Sequence, residues 1–244
     1  MNQYPVSKKT AAGMTTLLAA FVLSLVVLAI AQFLIPKDAD YQTMMQGNMM
    51  ALSLVVSCLG LLTGLLQLVG LILIVTDAGK VGGLHKVLSW AGLALYVLCL
   101  VPIILSAVVG MELGTTGSLD AARSTYYLQI AATVLGTLAP ILSAFGIANL
   151  LQRGLLVLYG LLSTGGGVVS SLMALNNLKI ETMTISGITT YVPVPGIDMS
   201  SLPYLLANYA AMGGAAIGAL AFLLLTIEAW KVMRSREVFT DSVV

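Results

Sequence analysis

Six long apolar stretches, almost free of charged side chains, constrain this chain more than any other feature. Each exceeds the roughly 20 residues that a helix needs to cross the hydrocarbon core of a bilayer. The whole chain is 59% hydrophobic and 9% charged, whereas soluble domains carry about 25% charged residues. The sequence therefore predicts an all-α integral membrane protein with one six-helix transmembrane domain over residues 1–244. The predicted spans are 15–35, 49–75, 87–109, 126–151, 155–178 and 202–230.

The first stretch has a second interpretation as a signal peptide, because Ala29-Ile30-Ala31 has the small residues of a cleavage site. Its apolar run is longer than the roughly 7–15 residues usual in signal peptides. We therefore expect an uncleaved span that ends at Pro36.

The distribution of Lys and Arg predicts the orientation in the membrane, because such residues concentrate in cytoplasmic segments. With both termini cytoplasmic, the inner side holds Lys8, Lys9, Lys80, Lys86, Arg153, Lys231, Arg234 and Arg236. The outer side then holds only Lys37, Arg123 and Lys179. The spans form three outward-pointing hairpins, and the very short turns favour a prokaryotic plasma membrane. Glycines recur at similar places in these hairpins, which leaves open whether they arose by duplication or match by chance.

The last outer loop is rich in β-branched residues. The segment 181–194 reads ETMTISGITTYVPV, with Ser186-Gly187 at its centre. This pattern predicts a small β-hairpin. Such a hairpin fits either a lid or docking element, or a compact connector without a further role.

Small residues four positions apart line one face of several spans. Such faces let neighbouring helix backbones approach closely in a membrane. They fit intramolecular packing or contacts with other membrane proteins. The candidate helix-packing residues are Gly60, Gly64, Gly136, Ala210, Gly214 and Gly218.

Residues that would carry catalysis or bind metal are scarce. The acids lie in loops, tails or at helix ends, and His85 is the only histidine. We expect His85 to be solvated in a loop, and Cys58 and Cys99 to be small buried hydrophobic residues. The sequence therefore predicts no enzyme activity, catalytic residue, cofactor or metal site, and the net charge of +1 gives no reason to expect nucleic acid binding.

Two weaker signals remain at the predicted membrane surfaces. Met44, Met45, Met49 and Met50 carry thioethers that suit Cu(I), although methionine also fills gaps between helices. Glu228 is the one acid within an apolar run. It is expected either to pair with Lys231 or reach the interface, or to act as a gate or partner contact.

Helix-breaking residues fall near the middle of three predicted spans. Transporters use interrupted helices to build binding sites from freed backbone groups. Glycine and proline are also simply common in membrane helices. The candidate pathway residues are the breakers Pro102, Pro140, Gly165, Gly166 and Gly167, together with Asn208 as a neutral hydrogen-bonding group in the last span.

These features favour a non-catalytic membrane subunit that packs with and scaffolds other integral membrane proteins. The alternative is a permease or channel component for a small neutral solute, without proton coupling through buried carboxylates. The expected partners are the lipid bilayer, other integral proteins and a bound lipid in a groove between helices.

Overall fold

The computed structural model describes residues 6–34, 48–176, 178–185, 188–195, 198 and 201–241, without the side chains of 48–50, 185, 188 and 235–241. The described residues form six helices and one β-hairpin. The helices are α1 (Lys8–Phe33), α2 (Asn48–Val81), α3 (Gly83–Thr116), α4 (Leu119–Phe145), α5 (Leu150–Leu175) and α6 (Leu202–Asp241). The strands β1 (Lys179–Ile185) and β2 (Ile188–Val194) lie between α5 and α6.

Six helices of the described chain are long and apolar enough to span a membrane, which confirms the predicted membrane protein. Several are longer than predicted. α3 has 34 residues, or about 51 Å at a rise of about 1.5 Å per residue, against a hydrocarbon core of about 30 Å. Hydropathy marks only the part of a helix that is apolar, so the predicted bounds omitted polar turns at both ends.

Two connections between helices are very short. Gly82 alone separates α2 from α3, with φ 141° and ψ 166°, a region that is almost restricted to glycine. Gly117 and Ser118 separate α3 from α4, and Gly117 adopts a left-handed φ of 64°. Ser118 then caps α4 by accepting a hydrogen bond from the Ala121 backbone N–H.

The connection between α4 and α5 corrects a predicted boundary. The sequence placed the turn at Gln152-Arg153-Gly154, but the chain turns at residues 146–149 and those three residues lie within the first two turns of α5. Asn149 is the N-cap, and its side chain accepts from the Gln152 backbone N–H at 3.0 Å. The Gln152 side-chain oxygen in turn accepts a hydrogen bond from the Asn149 backbone N–H at 2.9 Å. This reciprocal pair is a capping box, which fixes where the helix begins.

The helices run alternately up and down, so the bundle has two distinct ends. We call the end with Lys8, Gly82 and the 146–149 turn the turn end, and the end with Gly117 and the β-hairpin the β end. The most extensive packing joins α1 to α2, α3 to α4 and α5 to α6. Further contacts join α1 to α6, α4 to α5 and α2 to α3. The six helices therefore pack as a ring of three hairpins.

The main hydrophobic core lies in the half of the ring near the turn end. The Phe21 ring stacks on Phe222 with centroids 4.8 Å apart and meets Tyr159 edge-on at 5.0 Å. Leu71 and Leu156 are fully buried beside this aromatic group. The same buried cluster includes residues of α3 and α4, so all six helices contribute to the core at this level.

The predicted β-hairpin is present between α5 and α6. β1 and β2 pair antiparallel, with Thr182 opposite Tyr191. The Thr190 hydroxyl donates to the Gly114 carbonyl at 3.0 Å, and the Tyr191 ring lies against Gly117. The hairpin is therefore anchored on the α3–α4 connection.

Candidate functional site

Three of the predicted packing residues lie in or beside the contact between α5 and α6. A Cβ atom added to Gly214 would lie 2.5 Å from the Ser163 backbone nitrogen, and one added to Gly218 would lie 2.8 Å from the Phe21 ring. Ala210 is half-buried one turn away. At Gly214 the absence of a side chain lets the two backbones approach closely, as small residues do between membrane helices.

The closest approach between α3 and α4 involves a residue that the sequence analysis missed. A Cβ added to Gly92 would collide with the Ser143 hydroxyl and lie 2.5 Å from the Ala139 carbonyl oxygen. The predicted Gly136 lies further along the same interface, 3.4 Å from Cys99 Sγ when given a Cβ. Gly92 and the small residues Ala139 and Ser143 on α4 were the signal that could have revealed this contact.

The two packing candidates on α2 have different surroundings. The Gly64 carbonyl accepts a hydrogen bond from the Tyr96 hydroxyl of α3 at 2.6 Å. At Gly60, no described atom outside the adjoining backbone of α2 lies within 4 Å of the position that a Cβ would take. Gly60 therefore packs against nothing that the structure describes in this chain.

Gly60 belongs to a stripe of small residues that we call the open face of α2, formed by Ser53, Ser57, Gly60 and Gly64. Their spacing of four, three and four places them on one side of the helix. Ser53, Ser57 and Gly60 are exposed, and Gly64 is half-buried beneath Tyr96. The stripe therefore leaves the α2–α3 contact at Gly64 and continues uncovered towards the β end.

The part of α3 beyond Tyr96 is also largely uncovered. Ile104 is 61% exposed and Met111 is 67% exposed. On α2, most side chains between Ala51 and Leu62 are likewise exposed. Within the described residues, α2 and α3 thus cover one another near the turn end and not near the β end.

The predicted helix breakers do not interrupt their helices. α3 continues through Pro102 and α4 through Pro140, so the interruptions expected at these prolines are absent from the two described helices. Both prolines are buried.

The three glycines of α5 also lie within an unbroken helix. A Cβ on Gly166 would collide with the Ala207 carbonyl of α6, whereas Gly165 has open space and Gly167 faces Thr133. Gly166 thus permits the close approach of two helices.

An apolar groove lies beside this contact. It has a volume of about 400 Å³ and is lined by residues that include Gly165, Gly166 and Ala210. Its lining consists of glycine, alanine, proline, valine and leucine. The half-buried Asn208 is not among them, so the predicted pathway residues do not form one polar site in the described structure.

Glu228 joins α6 to the α4–α5 turn. Its carboxylate Oε2 accepts from Gln152 Nε2 at 2.7 Å and from Asn149 Nδ2 at 3.1 Å. These donors are the two side chains of the capping box. The same hydrogen-bond network therefore caps the N-terminus of α5 and joins α6 to α5. The expected pairing of Glu228 with Lys231 is not among the ion pairs of the described side chains.

Two expectations about single residues are wrong. His85 lies in the first turn of α3 rather than in a loop, and its side chain is buried beside Ser89. A Cβ on Gly146 would lie 2.7 Å from the His85 Cα, because the start of α3 packs directly on the α4–α5 turn. Cys58 is exposed on the uncovered part of α2, while Cys99 is buried as expected.

The methionines at 44, 45, 49 and 50 lie outside the side chains that the structure describes. Among the described residues, no three His, Cys, Asp or Glu side chains lie together as a metal site would require. The chain matches no family model, no curated protein and no solved structure.

Proposed function

We propose that this protein is a non-catalytic integral membrane subunit that packs with other membrane proteins and scaffolds them. The observation that carries the proposal is the exposed part of the open face of α2. There Ser53, Ser57 and Gly60 are exposed in the half of the bundle where α2 and α3 do not cover each other.

The residue types on this face favour a protein partner over lipid. Small side chains allow another helix backbone to approach closely and gain van der Waals contact. Two contacts within the bundle are of this kind, between Gly214 of α6 and Ser163 of α5 and between Gly92 of α3 and Ala139 of α4. On the open face Gly60 repeats the pattern, and no described residue of another element lies within 4 Å of the position of its Cβ. A helix from another subunit is the neighbour that this position fits.

Gly60→Leu tests this proposal. Gly60 is exposed, and no described atom of another element lies within 4 Å of the position of an added Cβ, so we expect the variant to fold as the parent does. We expect the variant to lose membrane proteins that co-purify with the parent after mild detergent extraction, while keeping its own melting temperature. Gly213→Leu is the matched control, since Gly213 also has open space on α6, and it should retain those proteins. Equal recovery of partners with both variants, or recovery of none with the parent, would contradict the proposal.

The proposed orientation places the turn end and both termini in the cytoplasm of a prokaryotic cell. Its support is the charge of the described side chains, since Lys and Arg mark cytoplasmic segments. The turn end has Lys8, Lys9, Lys80, Lys86, Arg153, Lys231 and Arg234 beside the acids Asp77 and Glu228. The β end has Arg123 and Lys179 beside Glu112, Asp120, Glu181 and Asp198.

A permease or channel component remains the alternative, with weaker support. Its proposed path relied on helices interrupted at Pro102, Pro140 and 165–167, and those helices are continuous. Buried side chains from all six helices also pack together around Phe21 near the turn end.

A further inference from the structure

We propose that the exposed face of α3 at the turn end, formed by Lys86 and Trp90, binds the headgroup of an anionic phospholipid. The two residues are one helical turn apart and therefore lie on the same side of α3. Both are exposed, Trp90 at 55%. The inference is independent of the proposed subunit role and of the direction in which the protein is inserted.

The depth of the two side chains fits a membrane–water interface. Tryptophan is enriched at the level of the headgroups, where its ring is partly apolar and its N–H is polar. Lys86 lies one turn nearer the end of the bundle, so its ammonium group can extend towards a phosphate while its alkyl stem stays on apolar surface. Val87, which is 65% exposed and three residues before Trp90, provides apolar surface beside the indole.

The charges around this face favour an anionic lipid over a zwitterionic one. The two acids described at the turn end already have partners. Asp77 pairs with Lys80 at 3.0 Å, and Glu228 accepts bonds from Gln152 and Asn149. Among the described side chains no carboxylate forms an ion pair with Lys86, so its positive charge is available to a lipid phosphate.

The two tryptophans of the chain, Trp90 and Trp230, allow a direct test. Trp230 is half-buried, and its indole N–H donates to Thr15 at 3.1 Å. The variant Trp230→Phe leaves Trp90 as the only indole. Its fluorescence would be measured in phosphatidylcholine bilayers with a fixed fraction of either brominated phosphatidylglycerol or brominated phosphatidylcholine, because bromine quenches an adjacent indole.

We expect brominated phosphatidylglycerol to quench Trp90 more strongly than brominated phosphatidylcholine does. The binding constant for phosphatidylglycerol relative to phosphatidylcholine should be about five, the effect of one basic residue at the surface. When Lys86→Gln is added to the Trp230→Phe variant, the relative binding constant should fall close to one. Arg123→Gln, an exposed cation at the β end, should leave it unchanged, and the melting temperature of each variant would verify its fold. Equal quenching by the two lipids, or a preference that survives Lys86→Gln, would overturn the proposal.

Discussion

Gly92 illustrates how a single residue determines the distance between two helices. Because a Cβ there would collide with Ser143 and approach the Ala139 carbonyl, Gly92→Ala must push α3 away from α4. Overpacking of this kind costs about 1–3 kcal/mol. We expect a lower melting temperature in detergent for Gly92→Ala and little change for Gly60→Ala, which has open space. Equal effects of the two variants would contradict the described α3–α4 interface.

The Tyr96 hydroxyl provides a second prediction for a single residue. Its hydrogen bond to the Gly64 carbonyl at 2.6 Å connects α2 to α3 at the level where the two helices cease to cover one another. Tyr96→Phe should destabilise the protein by about 1 kcal/mol, measured by unfolding in mixed micelles. Tyr127→Phe, at a site that is 59% exposed, should have no measurable effect.

The residue scale is also where the sequence was least informative. A lone histidine after two glycines resembles a solvated loop residue, and only the tertiary contact with Gly146 shows that His85 is buried. Likewise, apolar surroundings in the sequence do not distinguish a helix face turned to lipid from one turned to protein. Cys58 and Cys99 have similar neighbours, yet only Cys99 is buried.

Among the elements, α6 depends on the start of α5 through Glu228 and Gln152. Their charge-assisted hydrogen bond of 2.7 Å predicts that the two residues act together. In a double-mutant cycle of Glu228→Ala with Gln152→Ala, we expect a coupling energy of about 1 kcal/mol, reduced from larger buried values because Glu228 is exposed. The cycle of Lys231→Ala with Gln152→Ala should show no coupling. Additive effects of Glu228→Ala and Gln152→Ala would mean that the network does not hold α6.

The β-hairpin depends on the α3–α4 connection in a similar way. Gly117 has a φ of 64° and would bring a Cβ to 2.7 Å from the Tyr191 ring, so Gly117→Ala strains the backbone by roughly 1–2 kcal/mol and displaces the ring. We predict faster hydrogen exchange in β1 and β2 for this variant. Gly110→Ala, within α3 and with open space, should leave the exchange of both strands as in the parent.

The existence of each element could be predicted from sequence, because hydropathy predicts membrane spans and the run of β-branched residues around Ser186-Gly187 predicts a hairpin. The α4–α5 turn was misplaced because apolar residues continue through Ile147 and Ala148. The spacing of Asn149 and Gln152 matches a capping box and could have located it. At the glycines of α5, the sequence alone could not separate a helix break from a close helix contact.

On the scale of the whole molecule, the charges of the two ends predict a fixed orientation. In a background of Cys58→Ala and Cys99→Ala, Thr182→Cys at the β end should react with an impermeant maleimide added to intact cells. Lys231→Cys at the turn end should react only after the cells are opened. Both positions are exposed, so the reverse pattern would show that the turn end faces outwards.

The whole molecule also combines a packed half with an open half. Buried side chains from all six helices pack around Phe21 near the turn end, while the open face is exposed towards the β end. The proposed subunit role follows from this asymmetry. Its most direct test is native mass spectrometry of the protein gently extracted from its own membrane. We predict a stoichiometric complex with other integral membrane proteins that dissociates in the Gly60→Leu variant. A partner-free monomer or homo-oligomer as the sole species would contradict the account.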